Sequence, residues 1–274
     1  MKIHLKRHFS LLLAVLLVLT MIPVSTIKVS AKATTVATTA KQTAKKADKK
    51  TTKKKTKKKT KKTKKAKKQR TVFIAVGHQQ RGISSTERLA PGSSRRKAKL
   101  TSGTAGVRTH IPEYKTNLAI AKAAKKELEK RGYKVIMLRT TNNCPLSNQQ
   151  RTKKANASGA DIHICIHCNA SGASAQGPLV CVPGSSRYVG KKIFNSSRKL
   201  GSCLLSSVAK AVNKRSHGTI RSDYYTTINW AKIPTMILEC GFLTNSTEDR
   251  QLNSASYQKK LAKGIANGVD KYFK

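Results

Sequence analysis

The chain is poor in acid. Among its 274 residues, Asp and Glu number 11 against 57 Lys and Arg, giving a formal net charge of +46. A balance this one-sided calls for an anionic partner without naming it. Long apolar runs are scarce too: the stretch from Leu11 to Val24 falls short of the ~20 residues that a spanning helix needs, and no later run is long enough. The six cysteines, Cys144, Cys165, Cys168, Cys181, Cys203 and Cys240, lack the dense regular spacing of a small disulfide scaffold, so no pairing is assigned. Cys165 and Cys168 form a CxxC, but no second pair follows at the spacing of a structural zinc site.

What is present begins with an export pattern. Lys2, Lys6 and Arg7 form a basic start, the Leu11–Val24 run follows, and Val29-Ser30-Ala31 offers small residues for cleavage. Residues 1–31 are therefore expected to be a signal peptide, leaving a secreted chain with no membrane span. Residues 32–70 are a Lys/Thr/Ala stretch with Asp48 as its only acid, whose like charges predict a disordered, extended segment. Its expected role is docking on an anionic cell-wall polymer, such as teichoic acid or anionic peptidoglycan. It has no aromatic residue on which a base could stack, and export removes the usual targets, so nucleic acid is not the expected partner.

From Thr71 to Lys274 strand and helix signals alternate over one domain. Val72–Val76, Lys134–Leu138, Ile162–Ile166 and Thr235–Leu238 are short, β-branched-rich runs without polar alternation, the pattern of strands buried on both faces. Leu179–Val182 is a weaker fifth. Amphipathic helices are predicted over Tyr114–Lys130, which Gly132 ends, from a capping box at Ser147-Asn148-Gln149-Gln150 toward Asn156, over Ser197–Asn213, and over Ser256–Phe273. This alternation predicts an α/β domain with a mostly parallel central sheet flanked by helices.

In such sheets reactive groups collect where strands end. The first run leads into Gly77-His78, the third into His167 and the fourth into Glu239, while Glu113 follows Pro112 at a helix start. Two imidazoles and a carboxylate with an open position for water suit a catalytic zinc ion, held by His78, Glu113 and His167 with Glu239 as base. Glu239 sits among Ile237, Leu238, Cys240, Gly241 and Phe242, where a carboxylate is costly unless compensated. His163, His110 and His217 are weaker candidates. The 79–111 segment is read as a long loop lining a groove, with Arg81, Arg88, Arg95 and Arg96 available to pair with carboxylates.

The order of these motifs resembles the zinc-dependent N-acetylmuramoyl-L-alanine amidase family along about residues 71–274. The matching segments are Gly77-His78, Glu113, Leu128–Tyr133, Arg139-Thr140, Arg151 with Ala155-Asn156, Ala160-Asp161, Ile166-His167 with Asn169-Ala170, and Leu238–Asn245. Within the last, the Glu-x-Gly-Phe-x-x-Asn pattern is the most specific. The resemblance implies peptidoglycan as substrate, cleavage between the lactyl group of N-acetylmuramic acid and L-alanine, a Zn2+ cofactor on His78, Glu113 and His167, and acid-base work by Glu239. Departures exist. The family commonly has Asp-Pro before Gly-His and Gly-Gly after it, where this chain has Ala75-Val76 and Gln79-Gln80, and Ser216-His217-Gly218 stands where Asn-Arg-Gly is frequent. Two alternatives stay open: a zinc peptidase of the stem peptide, and a non-catalytic wall-binding or nucleic-acid-binding protein.

Overall fold

The structure, a computed structural model, describes residues 68–274. The expected signal peptide and nearly all of the Lys-rich segment lie outside the described residues. Among the described residues, no helix is long and apolar enough to cross a membrane.

The domain is α/β. Its main sheet contains β1 (Thr71–Val76), β4 (Lys134–Met137), β5 (Ile162–Asn169), β6 (Leu179–Val182), β7 (Gly218–Arg221) and β8 (Thr235–Phe242), in the order β4-β1-β5-β8-β6-β7. All neighbours are parallel except the antiparallel pair β6 and β8. Because successive side chains on a strand face opposite ways, the β-branched runs feed two cores at once. Val72, Ile74 and Val76, Ile164 and Ile166, and Met236 and Leu238 belong to one core, which α1 (Glu113–Lys130), α3 (Gly190–Val212) and α6 (Ala255–Phe273) cover. Phe73, Ala75, Cys165 and Ile237 enter the other, with Ala155 of α2 (Asn148–Ala157) and Ile228 of α4 (Thr226–Asn229). The expected capping box opens α2: Gln150 N–H donates to Ser147 Oγ at 3.2 Å, and Ser147 N–H donates to Gln150 Oε1 at 2.8 Å.

Several elements differ from the sequence expectation. β5 and β8 run past the apolar residues, so His167 and Glu239 lie inside strands, paired in register with each other. Helix α3 starts at Gly190 rather than Ser197. The 79–111 segment, expected as loop, holds an antiparallel hairpin of β2 (Ile83–Arg88) and β3 (Arg96–Leu100). Its strands read Ile-Ser-Ser-Thr-Glu-Arg and Arg-Lys-Ala-Lys-Leu, too polar to show the alternation that marks a strand.

The hairpin is fastened at several points. Buried Glu87 accepts from the Gln149 N–H at 3.0 Å, placing a carboxylate at the N-terminus of α2, where the helix dipole favours it. Trp230 Nε1 donates to Arg88 O at 3.2 Å and Asn229 Nδ2 to Leu89 O at 3.3 Å. The return from the hairpin to α1 is held by Asp249 of α5 (Ser246–Leu252). Its carboxylate accepts from the Arg108 and Thr109 N–H groups at 2.7 and 2.8 Å, from the Thr109 hydroxyl at 2.7 Å and from Asn253 Nδ2 at 2.9 Å. Burial opposes ionisation, but these donors win and hold the Asp249 carboxyl below its ordinary range.

A group depressed on folding stabilises the fold above its unfolded pKa, ~3.9 for Asp, and loses that effect as pH falls through the folded value. Asp249→Asn is therefore expected to lower the Tm at pH 7 by about 4–8 °C, from ~2 kcal/mol of charged hydrogen bonding at roughly 2–4 °C per kcal/mol. The gap between variant and wild type should narrow below about pH 4. A gap independent of pH, read by scanning calorimetry, would contradict this.

Candidate metal centre

Three chain segments meet at the C-terminal edge of β1, β5 and β8. His78 follows β1 in a left-handed conformation with φ of 56°, His167 projects from β5, and Glu113 opens α1. One ligand atom from each lies within 4.8 Å of the others. Glu113 Oε2 is 3.2 Å from His78 Nε2, and Oε1 is 3.2 Å from His167 Nδ1. The two imidazole rings stand nearly perpendicular, their centroids 4.8 Å apart.

Backbone and side-chain partners fix these atoms. His78 Nδ1 donates to Thr101 O at 2.8 Å, which sets its tautomer and directs Nε2 toward Glu113. A carbonyl just past β3 thus orients His78, the task that a carboxylate before Gly-His would otherwise perform. Glu113 accepts from Asn117 Nδ2 at 3.0 Å, and from the Cys168 and Thr104 N–H groups at 3.2 Å each. Gly77 and Gly103 give the room. A Cβ on Gly77 would lie 2.4 Å from His167 Cε1, and one on Gly103, whose φ is +84°, would lie 2.6 Å from Glu113 Oε2.

The electrostatics follow from burial and these contacts. Burial alone would raise the Glu113 carboxyl, but hydrogen bonds and charge from His167 and His78 bring it well below the ordinary carboxylate range. For His78, burial pulls the imidazole down, yet the hydrogen bond and charge of Glu113 leave it raised. His167 is lowered, first by burial. Glu239, whose Oε2 is buried without a hydrogen-bond partner, is pushed well above the ordinary range by burial and by the nearby Glu113 charge. This donor set suits a borderline metal ion such as zinc: two imidazole nitrogens, one carboxylate, and a second, unsatisfied carboxyl beside them.

Two buried arginines brace the His78 turn from behind. Arg139 donates to Gly77 O at 2.9 Å and to Tyr114 O at 2.8 Å, while Arg151 donates to Val76 O at 3.0 Å and to His78 O at 3.2 Å. Burial, aided by the Arg151 charge, lowers the Arg139 guanidinium to about 10.

His78, Glu113, His167 and Glu239 thus come together as the sequence suggested, and the weaker candidates stay apart. His163 is wholly buried against the Phe73 ring, and burial lowers its imidazole to about 3, so it is a neutral core residue. His217 packs on Phe242, and His110 sits in the turn before α1. Cys165 and Cys168 enter opposite cores, so the CxxC is no redox pair, and all six cysteines are free. Of the four arginines in the 79–111 segment, Arg81 precedes the hairpin, Arg88 bonds Ser93 O, Arg96 bonds Thr86, and Arg95 lies over the Tyr224 ring. The Arg88 and Arg96 contacts hold the hairpin itself. Sequence reasoning missed Asn117, though it lies one helical turn after Glu113, and gave Arg139 and Arg151 no role.

A family model described as N-acetylmuramoyl-L-alanine amidase matches residues 72–271. The chain is 33% identical over 157 residues to the uncharacterized protein YqiI of Bacillus subtilis, covering 57% of this chain and 72% of that protein. It is 28% identical over 163 residues to the N-acetylmuramoyl-L-alanine amidase LytC of Bacillus subtilis, covering 59% of this chain but only 31% of LytC. Among solved structures, an N-acetylmuramoyl-L-alanine amidase from Clostridium difficile 630 superposes with a TM-score of 0.60 at 28% identity, over 75% of this chain and 97% of that one.

Gly77→Ala is expected to push the His167 ring aside and weaken zinc binding by about 10–100-fold, the usual cost of disturbing what supports a ligand. Competition with a chromogenic chelator reads the affinity, and circular dichroism checks that the fold is kept. Unchanged affinity would separate His167 from the metal site.

Proposed function

The chain belongs to the N-acetylmuramoyl-L-alanine amidase family, and we propose from that premise that it is a secreted, zinc-dependent peptidoglycan amidase. The bond cut joins the lactyl carbonyl of N-acetylmuramic acid to the nitrogen of L-alanine. The observation that supports this most is the convergence of His78, Glu113 and His167 beside the half-buried Glu239, whose Oε2 is buried without a hydrogen-bond partner.

In this reading His78 Nε2, Glu113 and His167 Nδ1 hold the ion. When bound, zinc supplies Lewis acidity that polarises the scissile carbonyl and makes water acidic enough to react near neutral pH. Glu239 moves the proton. It accepts one from the attacking water and returns it to the amide nitrogen as the C–N bond breaks, leaving a muramoyl carboxylate and a free L-alanine amine. Its environment suits both halves of that task. Burial and the Glu113 charge hold its carboxyl high, and a cation among the three ligands would offset that charge and ease ionisation. Asn117 keeps Glu113 in place, and Arg139 and Arg151 keep the His78 turn closed.

The Lys-rich residues 32–70 are proposed to dock on anionic cell-wall polymer after residues 1–31 are removed on export. Retention on purified wall material should fall steeply from low to physiological salt, and binding indifferent to salt would exclude electrostatic docking.

The deciding experiment digests purified peptidoglycan with and without added zinc, beside Glu239→Gln, and identifies the products by mass spectrometry. Zinc-dependent release of intact stem peptides with a free L-alanine amine is expected, with a loss of about 10²–10⁴-fold in the variant while zinc content is retained. Truncated stem peptides would indicate a peptidase, and no release at all a binding protein.

A further inference from the structure

A second recess opens on the same edge of the sheet as the metal centre. Its volume is about 670 Å3, and its walls are the loop after β5, around Ser171 and Gln176, and the turn between α3 and β7, with Asn213, Lys214, Arg215 and His217. Strand register places it. β6 starts at Leu179, which pairs with both Glu239 of β8 and Gly218 of β7, so both loops flank the position of Glu239. The loop after β5 begins three residues beyond His167. His217 lays its ring against Phe242 of β8 at 4.8 Å, and Ser171 N–H donates to Thr244 Oγ1 at 3.0 Å, tying both walls to the segment that follows Glu239.

The recess is built to present cations. Helix α3 ends at Asn213 with φ of 52°, and the N–H groups of Asn213 and Lys214 donate to Lys210 O and Ala209 O at 3.2 and 3.0 Å. These bonds occupy two of the helix's last carbonyls and lessen the negative charge the terminus presents where the chain turns over the recess. Gly177 seats the Gln176 loop directly on this turn, since a Cβ there would lie 2.1 Å from Arg215 O. Lys214 is half-buried, 3.4 Å from Gln176 Oε1 and 3.9 Å from Glu248 Oε1. Glu248 is itself committed, accepting from Gly177 N–H at 2.9 Å and Phe242 N–H at 2.8 Å. Arg215 is exposed, and no residue lining the recess is acidic.

We infer that Lys214 and Arg215 form a carboxylate-binding subsite for the peptide side of the substrate, one that selects stem peptides carrying free carboxylates beyond L-alanine over amidated ones. This rests on the amidase reading and deepens it. A peptide leaving the reaction centre toward β6 runs into the recess, where the exposed Arg215 guanidinium and the Lys214 ammonium, whose acidic neighbour Glu248 lies 3.9 Å away and already accepts from two backbone N–H groups, favour an anion. Arg88 and Arg96 spend donors on the hairpin itself and so leave this role open.

Two soluble muropeptides differing only in free or amidated stem carboxylates test the subsite on the full secreted chain. Wild type should favour the free acid by about tenfold in kcat/KM, expressed in KM, a factor equivalent to about 1.4 kcal/mol. In Lys214→Gln/Arg215→Gln that ratio should collapse toward one, while Lys260→Gln, which removes charge from the exposed face of α6, should keep it. A ratio near one in wild type, or an undiminished ratio in the double variant, overturns the subsite. Calorimetric binding of the free stem peptide, as acid and as amide, to zinc-loaded Glu239→Gln separates the two readings. Selective binding of the acid, lost with Lys214 and Arg215, keeps the subsite even if wild type cleaves neither muropeptide; equal binding of acid and amide removes the subsite even if the amidase reading stands.

Discussion

A carboxylate can leave water only where other donors take over its hydration, and Glu113 is where this chain meets that condition. Its two oxygens gather a side-chain amide from α1, backbone N–H groups from β5 and from the loop before α1, and an imidazole on each side. The donors come from four parts of the chain, so satisfying one charge fixes how the β1 turn, the long excursion after it, α1 and β5 sit together. The hairpin and the Asp249 clamp read as consequences. They hold a 34-residue connection between His78 and Glu113 in the shape that delivers Thr104 N–H and Thr101 O to the site.

The opposite sign is handled with equal economy. Arg139 and Arg151 are buried, yet their hydrogen bonds run to backbone carbonyls, so their charges remain as a field rather than being spent on an acid. The Arg151 charge works against protonation of both imidazoles, although Glu113 still leaves His78 raised. An imidazole that is to hold a metal must be neutral, and the Arg151 guanidinium that helps shape the turn favours that form.

Much of this was legible in the residues. Strands buried on both faces lose polar alternation, so β1, β5 and β8 were visible as β-branched runs, and a polar group closing such a run drew attention to His78, His167 and Glu239. The placement was off by a few residues for the last two, because strand pairing continues as far as the partner strand extends, and apolar content says nothing about that. The hairpin was invisible because its strands lie on the domain surface with little apolar face to mark them. Thr101 could not be found at all: it acts through a carbonyl, a group every residue has. Composition likewise shows a cation but not whether its donors are already in use, as those of Arg88 and Arg96 are within the hairpin.

His167 and Glu239 face each other across one rung of the β5–β8 ladder. A slip of one residue in that pairing would bring core residues to the reaction edge and turn the two polar groups into the apolar layers. The site therefore has no alternative registration in which it is merely weaker. Core and chemistry share one alignment, so substitutions that keep the sheet in register preserve the geometry of the site as a by-product.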